Sequence, residues 1–114
     1  MRRELLLIAE MIDAAEQACA LVLGTTSSSL QADRQRRDAL LWNFTVLGEA
    51  AAQLDSDVKG RFPAIEWTRP SQLRNRVIHG YWSIDVEILH TTAGELLPAF
   101  IEQLRGALAE LEAD

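Results

Sequence analysis

Apolar residues recur every three or four positions in the first half of this chain, which is the period of an α-helix packed on one face. The first stripe extends from Glu4 to about Leu23 and precedes a Gly-Thr-Thr-Ser turn. A second helix is predicted to open with a capping box at Ser28 and Gln31 and to end near Asp55. The two stripes are Leu5, Ile8, Ile12, Ala15, Cys19 and Val22, and Leu40, Phe44, Leu47, Ala51 and Leu54. Together they predict two long amphipathic helices.

The middle of the chain interrupts this pattern. The stretch from Ser56 to Pro70 is rich in turn-forming residues, which predicts an irregular connection held against the core by Ile65 and Trp67. A short helix should follow, because proline is favoured in the first turn of a helix and Gly80 stands where a C-cap is expected. His79 would then be the last residue of that helix.

A last helix is predicted to begin at Ser83, which can cap it, and to continue to the end of the sequence. Gly94 and Pro98 should kink or split this helix. Its inward stripe is predicted to be Ile84, Ile88, Leu96, Phe100, Leu104 and Leu111. No alternating run is long enough to predict a strand. The chain is therefore predicted to be an all-α, up-down bundle of four to five helices, with residues 1–114 forming a single domain.

The formal net charge of −6 argues against binding of nucleic acid over the whole surface. Positive charge is unevenly placed, and acidic residues dominate from Asp85 to Asp114. Seven of the ten arginines form two groups: Arg61, Arg69, Arg74 and Arg76, and Arg34, Arg36 and Arg37. A local basic cleft on an acidic body is therefore the expected arrangement.

Several classes of protein have no support in this sequence. Cys19 is the only cysteine, so neither an intrachain disulfide nor a cysteine-rich metal site is expected. No apolar run approaches the ~20 residues of a membrane span, and the N-terminal apolar stretch is too short for a signal peptide, so a cytoplasmic location is predicted. Metal-binding motifs and glycine-rich phosphate loops are lacking, so no metal and no cofactor are predicted.

The segment Arg74-Asn75-Arg76-Val77-Ile78-His79-Gly80-Tyr81 holds the chemically active side chains. An imidazole can transfer a proton near neutral pH, and a guanidinium can hold a phosphate, which are the groups that metal-free RNA cleavage needs. A regular helix places Arg74 and His79 about 140° apart around its axis, so they do not share a face. Either an unwound last turn before Gly80 or a second subunit would have to bring them into one cleft.

Each of these residues also has a structural interpretation. His79 can be a cation at a helix C-terminus, and the arginines can be solvated or paired with carboxylates. Asn75 can make a hydrogen bond near the helix end, and Tyr81 can be an interfacial aromatic residue. Glu49, which lies among small residues in the second helix, is either solvated or a buried partner of the Arg74 region.

The same segment resembles the R-x4-H-x-Y signature of the HEPN superfamily, and more specifically that of HepT-like toxins from HEPN/MNT toxin–antitoxin pairs. The similarity extends to Gly48-Glu49-Ala50, to residues 63–67 before the motif and to residues 81–85 after it. The order and spacing of these features make the match more specific than any one of them alone.

The resemblance implies an all-helical homodimer in which the two motifs meet, and a metal-independent endoribonuclease acting on tRNA or mRNA. Its partner would be an MNT-type nucleotidyltransferase antitoxin that inactivates the toxin by transferring AMP to Tyr81. The residues implicated are catalytic Arg74 and His79, auxiliary Asn75, Arg76 and Glu49, and an RNA-binding patch of Arg69, Arg74 and Arg76.

A mechanism follows from these roles. His79 would take the proton of the ribose 2′-hydroxyl, Arg74 would hold the phosphate, and His79 of the partner subunit would protonate the leaving oxygen. This predicts a 2′,3′-cyclic phosphate product and cleavage that resists EDTA. The alternative is a non-enzymatic helical module that binds a nucleotidyltransferase partner or a nucleotide, with Tyr81 and the arginines as contact residues. A purely structural adaptor would leave the concentration of functional groups unexplained.

Overall fold

The computed structural model describes residues 2–114, except for the side chain of Tyr81. Seven α-helices, a 3-10 turn and a π-helical segment make up this part of the chain, which contains no β-strand. The α-helices are α1 (Arg2–Val22), α2 (Ser27–Ala32), α3 (Arg34–Gln53), α4 (Ser56–Arg61), α5 (Thr68–His79), α6 (Val86–Thr91) and α7 (Leu97–Glu112). The 3-10 turn is Tyr81–Ser83 and the π-helical segment is Thr92–Leu96. The predicted all-α fold is confirmed.

The four longest helices form a bundle. Helix α3 packs against both α1 and α5, and α7 packs against α1. The stripe predicted for α1 is buried or half-buried along its length, and every residue of the stripe predicted for α3 is buried. Burial of each large apolar side chain contributes roughly 1.5–3 kcal/mol, so these two stripes fix how the helices pair. No helix within residues 2–114 is long and apolar enough to span a membrane.

The helix after the first turn begins differently from the prediction. The capping box lies at Thr26 and Ser29, not at Ser28 and Gln31. The Thr26 backbone N–H donates to Ser29 Oγ at 2.9 Å, and the Ser29 N–H donates to Thr26 Oγ1 at 3.0 Å. Several neighbouring hydroxyl residues can each serve as a cap, so the sequence alone does not select the pair that is used.

The predicted second helix is divided at Asp33 into α2 and α3. The Asp33 side chain accepts a hydrogen bond from the Arg36 backbone N–H at 3.1 Å and so caps α3. Two arginines then connect the helix ends: Arg36 Nη1 donates to the Leu21 carbonyl at 2.8 Å, and Arg37 Nη1 to the Gln31 carbonyl at 2.6 Å. Carbonyls near a helix C-terminus lack helical partners. Arg36 and Arg37 therefore serve the packing of α1, α2 and α3.

The connection predicted to be irregular from Ser56 to Pro70 contains helix α4, so that prediction is wrong for residues 56–61. Asp55 caps α4 by accepting a backbone hydrogen bond from its first turn at 2.9 Å. Only Val58 of α4 is buried, and a single apolar residue cannot reveal a helical period. Ile65 and Trp67 are buried as predicted, and Trp67 Nε1 donates to the Phe62 carbonyl at 3.0 Å.

The last predicted helix differs most from expectation. It is capped by Asp85, whose side chain accepts the Glu87 backbone N–H at 2.9 Å, and not by Ser83. The expected split near Gly94 is present as the π-helical segment. The thiol of Cys19 donates to the Ala93 carbonyl of this segment at 3.2 Å, and burial raises the pKa of that thiol.

The π-helical segment changes which face of this region is buried. Ile88 and Leu96, both predicted to face inward, are 37% and 52% exposed. The buried residues are instead Leu89, Ala93, Leu97 and Ile101. They are four apart, whereas an α-helix repeats every 3.6 residues, and the wider π-helical turn accommodates the difference. The predicted stripe is therefore wrong at Ile88 and Leu96, while Leu104 and Leu111 are buried as predicted.

Among the described residues, Glu4 is the only charged residue that is buried. One carboxylate oxygen accepts the Asp55 backbone N–H at 3.0 Å, and the other lies 3.1 Å from Arg3 Nη1. Glu4→Ala would leave the Asp55 N–H without this acceptor and should lower the free energy of unfolding by about 1–3 kcal/mol, measured by urea titration. The exposed Glu10 on the same helix provides the control, because Glu10→Ala should change stability by less than about 0.5 kcal/mol. Equal effects would contradict this role of Glu4.

Candidate active site

Helices α3 and α5 carry the candidate residues and approach each other closely at Gly48. A Cβ atom at this position would overlap the Cβ of Arg74 and lie 2.5 Å from the carbonyl oxygen of Pro70. Only glycine can therefore occupy position 48 without a shift of the backbone. Ser71 Oγ also donates to the Gly48 carbonyl at 3.3 Å. This contact places the base of the Arg74 side chain directly against α3.

Arg74 has two polar partners. Its Nη2 lies 3.0 Å from Glu49 Oε2, and its Nη1 donates to Asn75 Oδ1 at 3.0 Å. The Arg74 and Glu49 side chains are 32% and 49% exposed. Glu49 combines the two alternatives that the sequence left open: it contacts Arg74, yet its side chain is half-exposed, because Gly48 is the residue of α3 that faces α5. The predicted hydrogen bond of the Asn75 side chain is made to Arg74 and not at the helix end.

The guanidinium of Arg74 is incompletely bonded. Its Nε is buried and has no acceptor among the described atoms. A buried donor without a partner costs about 1–3 kcal/mol, and such exceptions in folded proteins are few. Glu49 and Asn75 thus set the orientation of the guanidinium, although this orientation leaves Nε without a hydrogen bond. Each Nη carries two hydrogens, so one hydrogen on each remains for another ligand.

His79 is the last residue of α5, as predicted, and its side chain is exposed. The helix stays regular to its end, where the Gly80 backbone N–H donates to the Arg76 carbonyl at 2.9 Å. The last turn is therefore not unwound before Gly80. Arg74 and His79 remain about 140° apart around the helix axis. A single chain does not bring these two side chains into one cleft.

A shallow depression lies beside His79. Its lining consists of Arg76, His79, Gly80, Ser83 and Ile84. Ser83 Oγ donates to the Gly80 carbonyl at 3.2 Å, which holds the turn that follows α5. Arg76 is three residues before His79, so the two side chains are neighbours on the surface of α5.

The remaining predicted site residues are distributed along α5 and the turn after it. Arg69 lies in the first turn of α5 and forms an ion pair with Glu66. The backbone of Tyr81 belongs to the 3-10 turn, but its side chain, the predicted AMP acceptor, lies outside the described atoms. Trp82 beside it is 95% exposed. Within residues 2–114, no group of three histidine, cysteine, aspartate or glutamate residues is placed to hold a metal ion.

Gly48 was not predicted to position Arg74. Its signals in the sequence are its place in the Gly48-Glu49-Ala50 segment of the family resemblance and its position inside a long helix, where glycine costs about 1 kcal/mol relative to alanine. A glycine kept in such a place indicates close packing, but the partner helix cannot be read from these signals.

The sequence model of the family described as "Ribonuclease HepT-like" matches residues 11–106. This chain belongs to the HepT-like ribonuclease family. A protein of Thermococcus cleftensis named "Probable ribonuclease HepT" is 30% identical over 76 residues, covering 64% of this chain and 69% of that protein. A protein of Methanocaldococcus jannaschii whose name also describes an RNase is 26% identical over 82 residues, covering 72% and 68%.

No solved structure gives a significant match. The resemblance to HepT-like members of the HEPN superfamily is confirmed, and family membership supports a ribonuclease function for this chain.

Proposed function

We propose that this HepT-like protein is a metal-independent endoribonuclease toxin that cleaves tRNA or mRNA in the cytoplasm, with His79 and Arg74 as its catalytic residues. The observation that carries the proposal is the arrangement on α5: an exposed imidazole at the end of the helix and a guanidinium oriented by Glu49 and Asn75. Proton transfer and charge stabilisation are the two contributions that cleavage by the ribose 2′-hydroxyl requires.

The proposed reaction is a transesterification. The 2′-oxygen forms a bond to the adjacent phosphorus while its proton passes to neutral His79, and the bond from phosphorus to the 5′-oxygen breaks. Protonated His79 of the partner subunit gives its proton to that leaving oxygen. The products are a 2′,3′-cyclic phosphate and a free 5′-hydroxyl. Arg74 stabilises the negative charge that develops on the non-bridging oxygens, an effect commonly worth about 10²–10³ in rate.

A homodimer is part of the proposal because one chain separates the two catalytic side chains. If two α5 helices meet around a two-fold axis, Arg74 of one subunit can face His79 of the other. Glu49 and Asn75 would then keep Arg74 in place before the substrate arrives, which lowers the cost of ordering a long side chain.

Arg69, Arg74 and Arg76 form the proposed RNA-binding patch, doubled by the dimer. Since the chain carries a net charge of −6, binding should depend on this patch and weaken steeply as salt is added.

Regulation by a nucleotidyltransferase antitoxin also belongs to the proposal. AMP attached to Tyr81 would add bulk and negative charge two residues from His79 and would repel the RNA backbone. Incubation with the partner and ATP should add the mass of one AMP to the chain and none to Tyr81→Phe. Equal labelling of both chains would place the modification elsewhere.

The shared cleft can be tested by mixing subunits. A fixed amount of wild-type protein is unfolded and refolded with a ninefold excess of His79→Ala chains, and cleavage of tRNA is measured. If each cleft uses both histidines, about one tenth of the wild-type subunits end in wild-type pairs, so cleavage should fall about tenfold.

In the control, the same excess of His79→Ala protein is refolded separately and added to refolded wild type, so that subunits do not exchange. Cleavage should then be unchanged, which excludes the possibility that the variant lowers cleavage by binding the tRNA. Unchanged cleavage after confirmed exchange would show that each chain acts alone and would overturn the shared cleft.

A further inference from the structure

We propose that Arg76 binds a non-bridging oxygen of the scissile phosphate beside His79 of its own subunit. This inference rests on the proposed ribonuclease function and deepens it by assigning a phosphate ligand to the His79 side of the cleft. Arg74 reaches the same phosphate from the other subunit.

Arg76 lies beside His79 on the surface of α5. Arg76 and His79 are three residues apart on a regular helix, about 60° around its axis, so their side chains share one face. Both line the depression at the end of α5. Arg74 is not part of that lining, because its side chain is directed towards Glu49 on α3. Within one chain, the guanidinium next to His79 is therefore that of Arg76.

The guanidinium of Arg76 is available to a ligand. Arg76 is exposed, and none of the ion pairs found among the described residues includes it. By contrast, Arg69 is paired with Glu66 and Arg74 with Glu49. A phosphate that approaches Arg76 does not have to displace a carboxylate, whereas one that approaches Arg69 does. A guanidinium without a competing anion can give both of its parallel N–H groups to a phosphate.

Two other polar groups of the depression already have hydrogen-bond partners. The Gly80 N–H donates to the Arg76 carbonyl and the Ser83 hydroxyl donates to the Gly80 carbonyl, so both groups already have acceptors in the turn. Arg76 and His79 are the side chains left to bind an anion there. A phosphate oxygen held by Arg76 would lie beside the imidazole that takes the 2′-proton, which is the placement that the reaction needs.

A sulfur substitution at the scissile phosphate tests direct contact. Substrates carry one non-bridging oxygen replaced by sulfur, as separate stereoisomers, and cleavage is compared for wild type, Arg76→Ala and Arg69→Ala. Arg76→Ala should lower kcat/KM about 10- to 100-fold, the usual effect of losing a charged hydrogen bond. It should also abolish the rate difference between oxygen and sulfur for one stereoisomer, because the contact that sulfur weakens is already gone. Arg76→Lys should recover part of the rate.

Arg69→Ala is the matched control, since it removes a second arginine of α5 that lies outside the depression. It should weaken binding and keep the full sulfur effect. If Arg76→Ala also keeps the full sulfur effect, and loses no more activity than Arg69→Ala, Arg76 is a general surface charge and the inference is overturned.

A binding experiment separates this inference from the proposed function. Inorganic phosphate is titrated while the ring signals of the two histidines are followed by NMR, with His79→Gln identifying the signal of His79. In wild type and Arg69→Ala the His79 signal should shift with phosphate, and Arg76→Ala should need at least about tenfold more phosphate. Equal affinity in Arg76→Ala would contradict the inference. If the wild type shows this binding pattern but does not cleave RNA, the proposed nuclease function is contradicted and the anion site at Arg76 is supported.

Discussion

Gly48→Ala is expected to destabilise the protein, although the same change inside a helix ordinarily stabilises it by up to about 1 kcal/mol. The new methyl group would overlap the Cβ of Arg74 and meet the Pro70 carbonyl at 2.5 Å. Both obstacles lie at or near the backbone, so α3 and α5 must move apart. Overpacking of this kind costs about 1–3 kcal/mol. Urea titration should show the loss, and thermal unfolding should show a fall of several degrees in Tm.

Gly106 provides the matched control, because it lies within α7 and a Cβ there would meet no atom within 4 Å. Gly106→Ala should raise the free energy of unfolding by about 0.5–1 kcal/mol. Opposite signs for the two variants would establish that α5 packs directly on Gly48. A stabilising Gly48→Ala would contradict the contact that positions Arg74.

His79→Ala should lower the rate of RNA cleavage by about 10²–10⁴, the usual contribution of a general acid or base. Its effect on stability should be small, because the side chain is exposed and lies at the end of a helix. Single-turnover cleavage of tRNA and urea titration of the same preparation would measure the two quantities separately.

The second histidine serves as the control. His90 Nε2 lies 2.9 Å from the Thr25 carbonyl, where it joins α6 to the turn after α1. His90→Ala should therefore lower stability by about 1 kcal/mol and leave the cleavage rate of the folded protein unchanged. If His79→Ala instead cleaved normally, or lost activity only in proportion to unfolding, His79 would not be a catalytic residue.

The sequence predicts the helices whose stripes are long and uninterrupted. Ile8 and Phe44 belong to stripes that repeat over five or six apolar positions, and both are fully buried. Gly80 ends α5 as predicted, because glycine is a strong local signal for a helix terminus. These features depend on residues close together in the chain, so a local pattern is enough to find them.

Two of the features that were missed depend on contacts between distant parts of the chain. The π-helical segment adjusts the last helix to its packing against α1. The sequence around Gly94 does not indicate that one helical turn there is wider than the others. The break at Asp33, which divides the predicted second helix into α2 and α3, likewise comes with arginines that reach back to α1 and α2.

The candidate site was predictable in its residue types and only partly in its geometry. An acid among small residues can approach another helix, and the sequence left Glu49 as either solvated or a partner of Arg74; the structure shows a half-exposed side chain in contact with Arg74. The regular last turn of α5 excludes unwinding as the way to join Arg74 and His79. Helical geometry in the sequence already posed the choice between unwinding and a second subunit, and the proposed function adopts the second subunit.

The most direct test is to incubate purified, unmodified protein with total tRNA in excess EDTA and to analyse the new RNA ends. The proposed chemistry predicts cleavage that EDTA does not reduce, with 2′,3′-cyclic phosphates and 5′-hydroxyls at the new ends. Arg74→Ala should give the same products at least about 10²-fold more slowly. Cleavage that appears only with added divalent metal and leaves 5′-phosphates, or a wild type no faster than Arg74→Ala, would contradict the metal-free His79 and Arg74 mechanism.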